Sequence, residues 1–176
     1  MFKKLLILAL IISSIPLSTA SASPFALKGL DTGQSLNDIK TNQYKLKCNS
    51  WERDTDLTFC MTYYPSSGYS TLADQQVLAV SFTHSPDSTI HSVSFYLSCS
   101  ANYQLLDNSL QHKFGKPTKS TPTSNVWHRE NSTLTLLSQA GDDGICYIVT
   151  NSDIAFEKIL RSYKQKTKRP EFSKDL

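Results

Sequence analysis

The sequence predicts an α+β domain, an antiparallel β-sheet with helices packed on one face, in the approximate order α-β-β-β-α-β-β-β-α. Three observations carry this reading. Several short runs alternate large apolar residues with Ser and Thr, the pattern of strands with one covered face. Two later stretches space their apolar residues at helical intervals, and clusters of Gly, Pro, Asp and Ser separate the runs.

The elements follow in chain order. "SLNDIK" opens with Ser35 as a candidate N-cap and Asp38 three residues on, which predicts a short first helix through reciprocal satisfaction of free amides. "TFCMTYY" sets Phe59, Met61 and Tyr63 against Cys60, Thr62 and Tyr64 and predicts a strand with Cys60 on one face. "VLAVSFTH" places Leu78, Val80 and Phe82 on one side, and "IHSVSFYLSC" places Val93, Phe95, Leu97 and Cys99 on one side. The intervening "SPDS" is turn material, so the two runs predict a hairpin. In "NYQLLDNSLQHKFGKP" the period changes, with Tyr103, Leu106, Leu110 and Phe114 forming a helical stripe and Gly115 and Pro117 a stop. "TKSTPTSN" reads as a polar loop, and "VWHRE", "STLTLLS" and "GICYIVT" as three strands, with "AGDDG" as a turn. A last helix carries Phe156, Ile159, Leu160 and Tyr163, preceded by Ser152 and Asp153 as caps and ending in basic residues that suit its dipole. Alternation throughout predicts one buried and one solvated sheet face.

Residues 1–22 place Lys3 and Lys4 before an apolar run and end in Ala20, Ser21 and Ala22, a secretory leader with cleavage expected after Ala22. No cysteine stands at that point for a lipid anchor, and the expected mature chain has no transmembrane segment. Residues 23–164 then form a single disulfide-containing domain and residues 165–176 a basic C-terminal tail. Without the leader, the 18 Lys and Arg fall to 16 against 15 Asp and Glu, so the net charge drops from +3 to +1. A nearly neutral body gives no ground for nucleic-acid binding.

Export takes Cys48, Cys60, Cys99 and Cys146 into an oxidising compartment, where two disulfides are expected. Three connectivities are possible. Cys48 with Cys60 is favoured because it closes a short local segment, and Cys99 with Cys146 because it joins two elements of the core. The spacing matches no redox or zinc motif, and no metal or cofactor is expected.

Catalytic signals are weak. His84, His91, His112 and His128 form no metal-spaced pair, and no nucleophile elbow is present, although His91 could lie near a serine of a neighbouring strand. Asp142 and Asp143 between Gly141 and Gly144 lack the further oxygen ligands of a calcium loop and read as a turn, and Asp54 and Asp56 read as the tip of the Cys48 to Cys60 loop. Asn131-Ser132-Thr133 matches a glycosylation sequon, for which a hairpin turn is sufficient cause. No catalytic residue is assigned.

The binding candidates are Tyr63, Tyr64 and Tyr69, beside the first expected disulfide, with Pro65 restricting the backbone. A fastened loop loses less entropy on binding, and tyrosine offers both apolar area and a hydroxyl. The competing expectation is that one or two of them fold back onto the sheet. Trp51 falls inside the disulfide loop, whereas Trp127 is expected in the core or at a sheet edge.

"GLDTGQSLNDIK", "LDNSLQHKFGKP" and the strand bearing Trp127 resemble, in their order, small exported bacterial proteins of the BamE-like and beta-lactamase-inhibitor-like kinds. The resemblance implies a noncatalytic role in recognising another protein, in outer-membrane assembly or in enzyme inhibition. The missing lipid-anchor cysteine departs from the first of these. The expectation is therefore an exported binding protein with a protein partner, the alternatives being an exported enzyme or an envelope structural protein.

Overall fold

The computed structural model describes residues 24–39, 46–50, 56–65, 68–139, 141 and 144–167. The leader, Trp51, Asp54, Asp142, Asp143 and residues 168–176 lie outside the described residues. The chain folds as β1 (Lys47–Ser50), β2 (Thr58–Tyr63), β3 (Thr71–Leu72), β4 (Gln75–His84), β5 (Ile90–Ser98), α1 (Tyr103–Phe114), β6 (Lys119–Thr121), β7 (Ser124–Arg129), β8 (Ser132–Ser138), β9 (Ile145–Asp153) and α2 (Ile154–Thr167). An antiparallel sheet runs in the order β1-β2-β4-β5-β9-β8-β7-β6, with β3 paired to the start of β4. The α+β class is as the sequence predicts.

Register explains the core. Val80 faces Phe95, Phe95 faces Val149, and Val149 faces Leu136, so one apolar row crosses four adjacent strands on the inner face. A second row runs through Phe82, Val93, Asn151, Leu134 and Trp127. Leu106, Leu110 and Phe114 of α1 bury their stripe in the same core, together with Phe25, Leu27 and Leu30 of the N-terminal segment. Asn102 caps α1 by accepting from the Leu105 amide at 3.2 Å. At the other end Gly115 takes φ 81°, a left-handed value that glycine adopts without a Cβ clash.

Inside this core, Asp107 is 7 % exposed and accepts from the Asn125 and Gln111 side-chain amides at 2.7 and 2.8 Å. Two charge-assisted bonds thus compensate a carboxylate placed on the buried side of α1.

Five expectations need correction. Residues 35–39 form a turn, not a helix, because their backbone is taken up elsewhere. Gly33 and Leu36 donate to Ile90 and Ser88 carbonyls, Ile90 donates back to Gln34, and the Ser35 hydroxyl accepts from Asn37 instead of a third-position amide. Secondly, a register shift between Val77 and Ala79 brings Val77 into the core opposite Leu97, where strict alternation had placed Leu78. Thirdly, the helices do not share a face. The outward-pointing Ser152 donates to Glu157 of α2 at 3.2 Å, which sets the first turn of α2 on the outer side while α1 lies on the inner.

The fourth correction concerns the outer face, which is less wet than its Ser and Thr content suggests. Ser81, Thr83, Ser92, Ser94 and Ser152 are all buried there. Small hydroxyl residues sit low between larger neighbours and pair sideways, as in Ser94 with Thr150 at 2.9 Å and Ser81 with Tyr96 at 3.2 Å. The "TKSTPTSN" loop, meanwhile, contains the short edge strand β6.

Candidate functional site

Both disulfides form as favoured from sequence, Cys48 with Cys60 and Cys99 with Cys146. The first joins directly opposed residues of β1 and β2, so it fastens the edge of the sheet three residues before Tyr63.

Tyr63 ends β2 and is 59 % exposed, and Tyr64 is 78 % exposed. Tyr64 holds φ 50°, a value that bulky side chains rarely adopt, and its amide donates to the Leu78 carbonyl at 2.7 Å. That bond and the buried Pro65 fix the chain where it leaves the sheet. Two large aromatic side chains are thereby presented to solvent by a backbone anchored on both sides. Tyr69 behaves differently. It is half-buried and packs against the core, so of the three tyrosines Tyr63 and Tyr64 are the two that stand fully out in solvent.

Across the outer face, Tyr63 lines up with Ala79, Tyr96, Ile148 and Leu137 in one cross-strand row. The last three are half-buried. The exposed tyrosines therefore stand at one end of an apolar strip, a feature that alternation within single strands cannot reveal because it depends on the order of strands in the sheet.

A second constellation was only hinted at by sequence. His91 Nδ1 lies 2.7 Å from Asp153 Oδ2, and its Nε2 lies 3.1 Å from Ser85 Oγ. Serine, histidine and aspartate in this order invite comparison with an acyl-transfer triad. The protons argue otherwise. Ser85 Oγ donates to Asp87 Oδ1 at 2.5 Å, so toward His91 it can only accept. In this arrangement His91 donates from both ring nitrogens, the pattern of its protonated form, in which neither nitrogen is free to act as a base. The hydrogen bond to Asp153 raises the His91 pKa above 6.5, opposed by burial and helped by the charges of Asp153 and Asp87. Asp87 is held down at about 2, first by Ser85 and then by the Thr89 amide. Asp153 also accepts from the Phe156 amide at 2.7 Å and so caps α2. This chain of bonds ties the β4–β5 turn to the start of α2.

A pH dependence follows. His91 has a raised folded pKa, so its contribution to stability is complete below about pH 6.5, its unperturbed value, and fades as pH rises through the folded value. Urea unfolding of wild type and His91→Gln at pH 6 and pH 8.5 is expected to show the larger difference at pH 6. An equal difference at both would remove the imidazolium from the account.

Of the other histidines, only His84 touches this chain, through the Ser85 backbone. His84 Nδ1 donates to the Ser85 carbonyl at 2.8 Å, His128 Nδ1 pairs with Thr133 Oγ1 at 3.0 Å, and His112 is exposed on α1. Trp127 is buried in the core, where its indole donates to the Gly115 carbonyl at 2.7 Å. Among the described residues no group of three His, Cys, Asp or Glu side chains could hold a metal ion, and no helix is long and apolar enough to cross a membrane.

No family model and no curated protein matches the chain, so neither the BamE-like nor the inhibitor-like resemblance gains support from them. A solved structure of a DUF4309 family protein (YjgB) from Bacillus subtilis is similar at a TM-score of 0.40 and 16 % identity, over 71 % of this chain and 82 % of that one.

Proposed function

We propose that the chain is an exported, noncatalytic binding protein that recognises another protein through Tyr63 and Tyr64. The observation that carries this reading is the outward presentation of both rings, 59 % and 78 % exposed, from a backbone fixed by the Cys48–Cys60 disulfide and the Tyr64–Leu78 hydrogen bond. Aromatic side chains of few rotatable bonds bury large area at small entropic loss, and such anchors dominate protein interfaces. The apolar row from Tyr63 through Tyr96 to Leu137 extends the contact beyond the two rings. The leader sequence and the paired cysteines support an oxidising, extracytoplasmic setting.

The test is affinity capture from an envelope or culture-fluid extract on the oxidised protein, with Tyr63→Ala/Tyr64→Ala in parallel. A saturable partner whose affinity falls at least about tenfold in the variant, at unchanged unfolding midpoint, is the expected result. Tyr69→Ala is expected to act through stability instead, since Tyr69 packs on the core. A partner held equally by wild type and the double variant would overturn the assignment.

A further inference from the structure

The two disulfides sit in different chemical surroundings. Cys48–Cys60 links directly opposed residues of β1 and β2, and β1 is an edge strand of the sheet with every residue exposed. Cys60, by contrast, is wholly buried. Cys60 faces Phe82 across β2 and β4, so His84, two positions further along β4, lies on the same side of the sheet within diagonal reach of the sulfur. His84 Nε2 is 3.6 Å from Cys60 Sγ. The ring is held there because its Nδ1 donates to the Ser85 carbonyl at 2.8 Å, which leaves Nε2 as the nitrogen that takes up or releases a proton. Among the described residues no other histidine nitrogen meets a sulfur, so Cys99–Cys146 has no such neighbour.

We propose that Cys48–Cys60 is a site of thiol–disulfide exchange, at which a small thiol becomes bonded to Cys48 while Cys60 leaves with the help of His84. The incoming thiolate forms a bond to Cys48 Sγ, the Cys48–Cys60 bond breaks, and its electron pair goes to Cys60 Sγ. The proton that the incoming thiol gives to solvent is returned to Cys60 through His84 Nε2. The sulfur of the thiol is oxidised as that of Cys60 is reduced, so no other oxidant or reductant takes part. Access decides which sulfur is attacked, because solvent reaches Cys48 on the edge strand and does not reach Cys60. The leaving group then sets the rate, since a thiolate stabilised by a neighbouring imidazolium departs faster. This chemistry does not rest on the role given to Tyr63 and Tyr64.

The test uses reduced glutathione in excess over the oxidised protein, under conditions in which circular dichroism reports a folded domain, with alkylation and peptide mass spectrometry to follow each bridge. Cys48–Cys60 is expected to open at least about tenfold faster than Cys99–Cys146, with glutathione on Cys48. His84→Gln is expected to lower the ratio of the two opening rates about tenfold. A general loosening of the fold would speed both bridges, so the ratio separates a leaving-group effect from a structural one. Opening of Cys48–Cys60 no faster than Cys99–Cys146, glutathione on Cys60 in place of Cys48, or an unchanged ratio in His84→Gln would each overturn the proposal.

Discussion

Replacing Trp127 by alanine is expected to destabilise the domain by about 3–5 kcal/mol, the range for deleting a large buried aromatic side chain. The indole is 1 % exposed, faces Leu134 across β7 and β8, and packs where α1 ends on the sheet. Its loss leaves a cavity and strips the Gly115 carbonyl of the indole N–H at 2.7 Å. Trp127→Phe separates the two effects. It keeps most of the volume and is expected to cost about 1–2 kcal/mol, the scale of one buried hydrogen bond. Urea midpoints read by circular dichroism decide the matter, since the substitution removes one of the two tryptophans that fluorescence would report.

Removing the Cys99–Cys146 disulfide is the second large effect. The bridge spans 47 residues and closes a loop containing α1 and β6 to β8, whereas Cys48–Cys60 spans 12. In the chain-entropy account, releasing the longer loop costs about 4 kcal/mol and the shorter about 3 kcal/mol. Serine pairs at each bridge should therefore lower the unfolding midpoint in that order. The reverse order would place the Cys48–Cys60 contribution in the folded state. The shorter bridge has a separate expected phenotype: its loss should weaken partner binding by freeing the edge that carries Tyr63, even at temperatures where the domain remains folded.

Much of this fold is legible in the residues because burial imposes a period. Val93, Phe95 and Leu97 alternate because β5 is central in the sheet and covered on the inner face, and Leu106, Leu110 and Phe114 recur at helical spacing because α1 has one buried side. Elements without such a face leave no periodic trace. All four residues of β1 and all three of β6 are exposed, so their extended form comes from pairing with β2 and β7 and not from a pattern of their own. Ser35 and Asp38 carry a helix signal of local origin, but the amides and carbonyls around them satisfy the strand beside them instead.

The site was legible to a similar extent. Tyr63 shares its phase of β2 with Phe59 and Met61, and alternation alone does not say which phase faces out; the register opposite Ser81 and Ala79 does. Tyr64 breaks that phase through a positive φ that no residue type announces, and Tyr69 turns inward because of packing over the core, which is a tertiary fact. The Ser85, His91 and Asp153 chain needs β5 beside β9, a pairing of residues 62 apart that periodicity cannot supply. The cavity beside α1 likewise joins three segments distant in sequence.

The central claim is that Tyr63 and Tyr64 form the recognition surface. Site-directed photo-crosslinking tests it most directly, with a benzophenone side chain placed at Tyr64 and, in a second protein, at Gln104 on the exposed side of α1. The account predicts one partner crosslinked from position 64, lost in the presence of excess unlabelled protein, and none from position 104. Crosslinking of that partner from position 104 but not from 64 would contradict it.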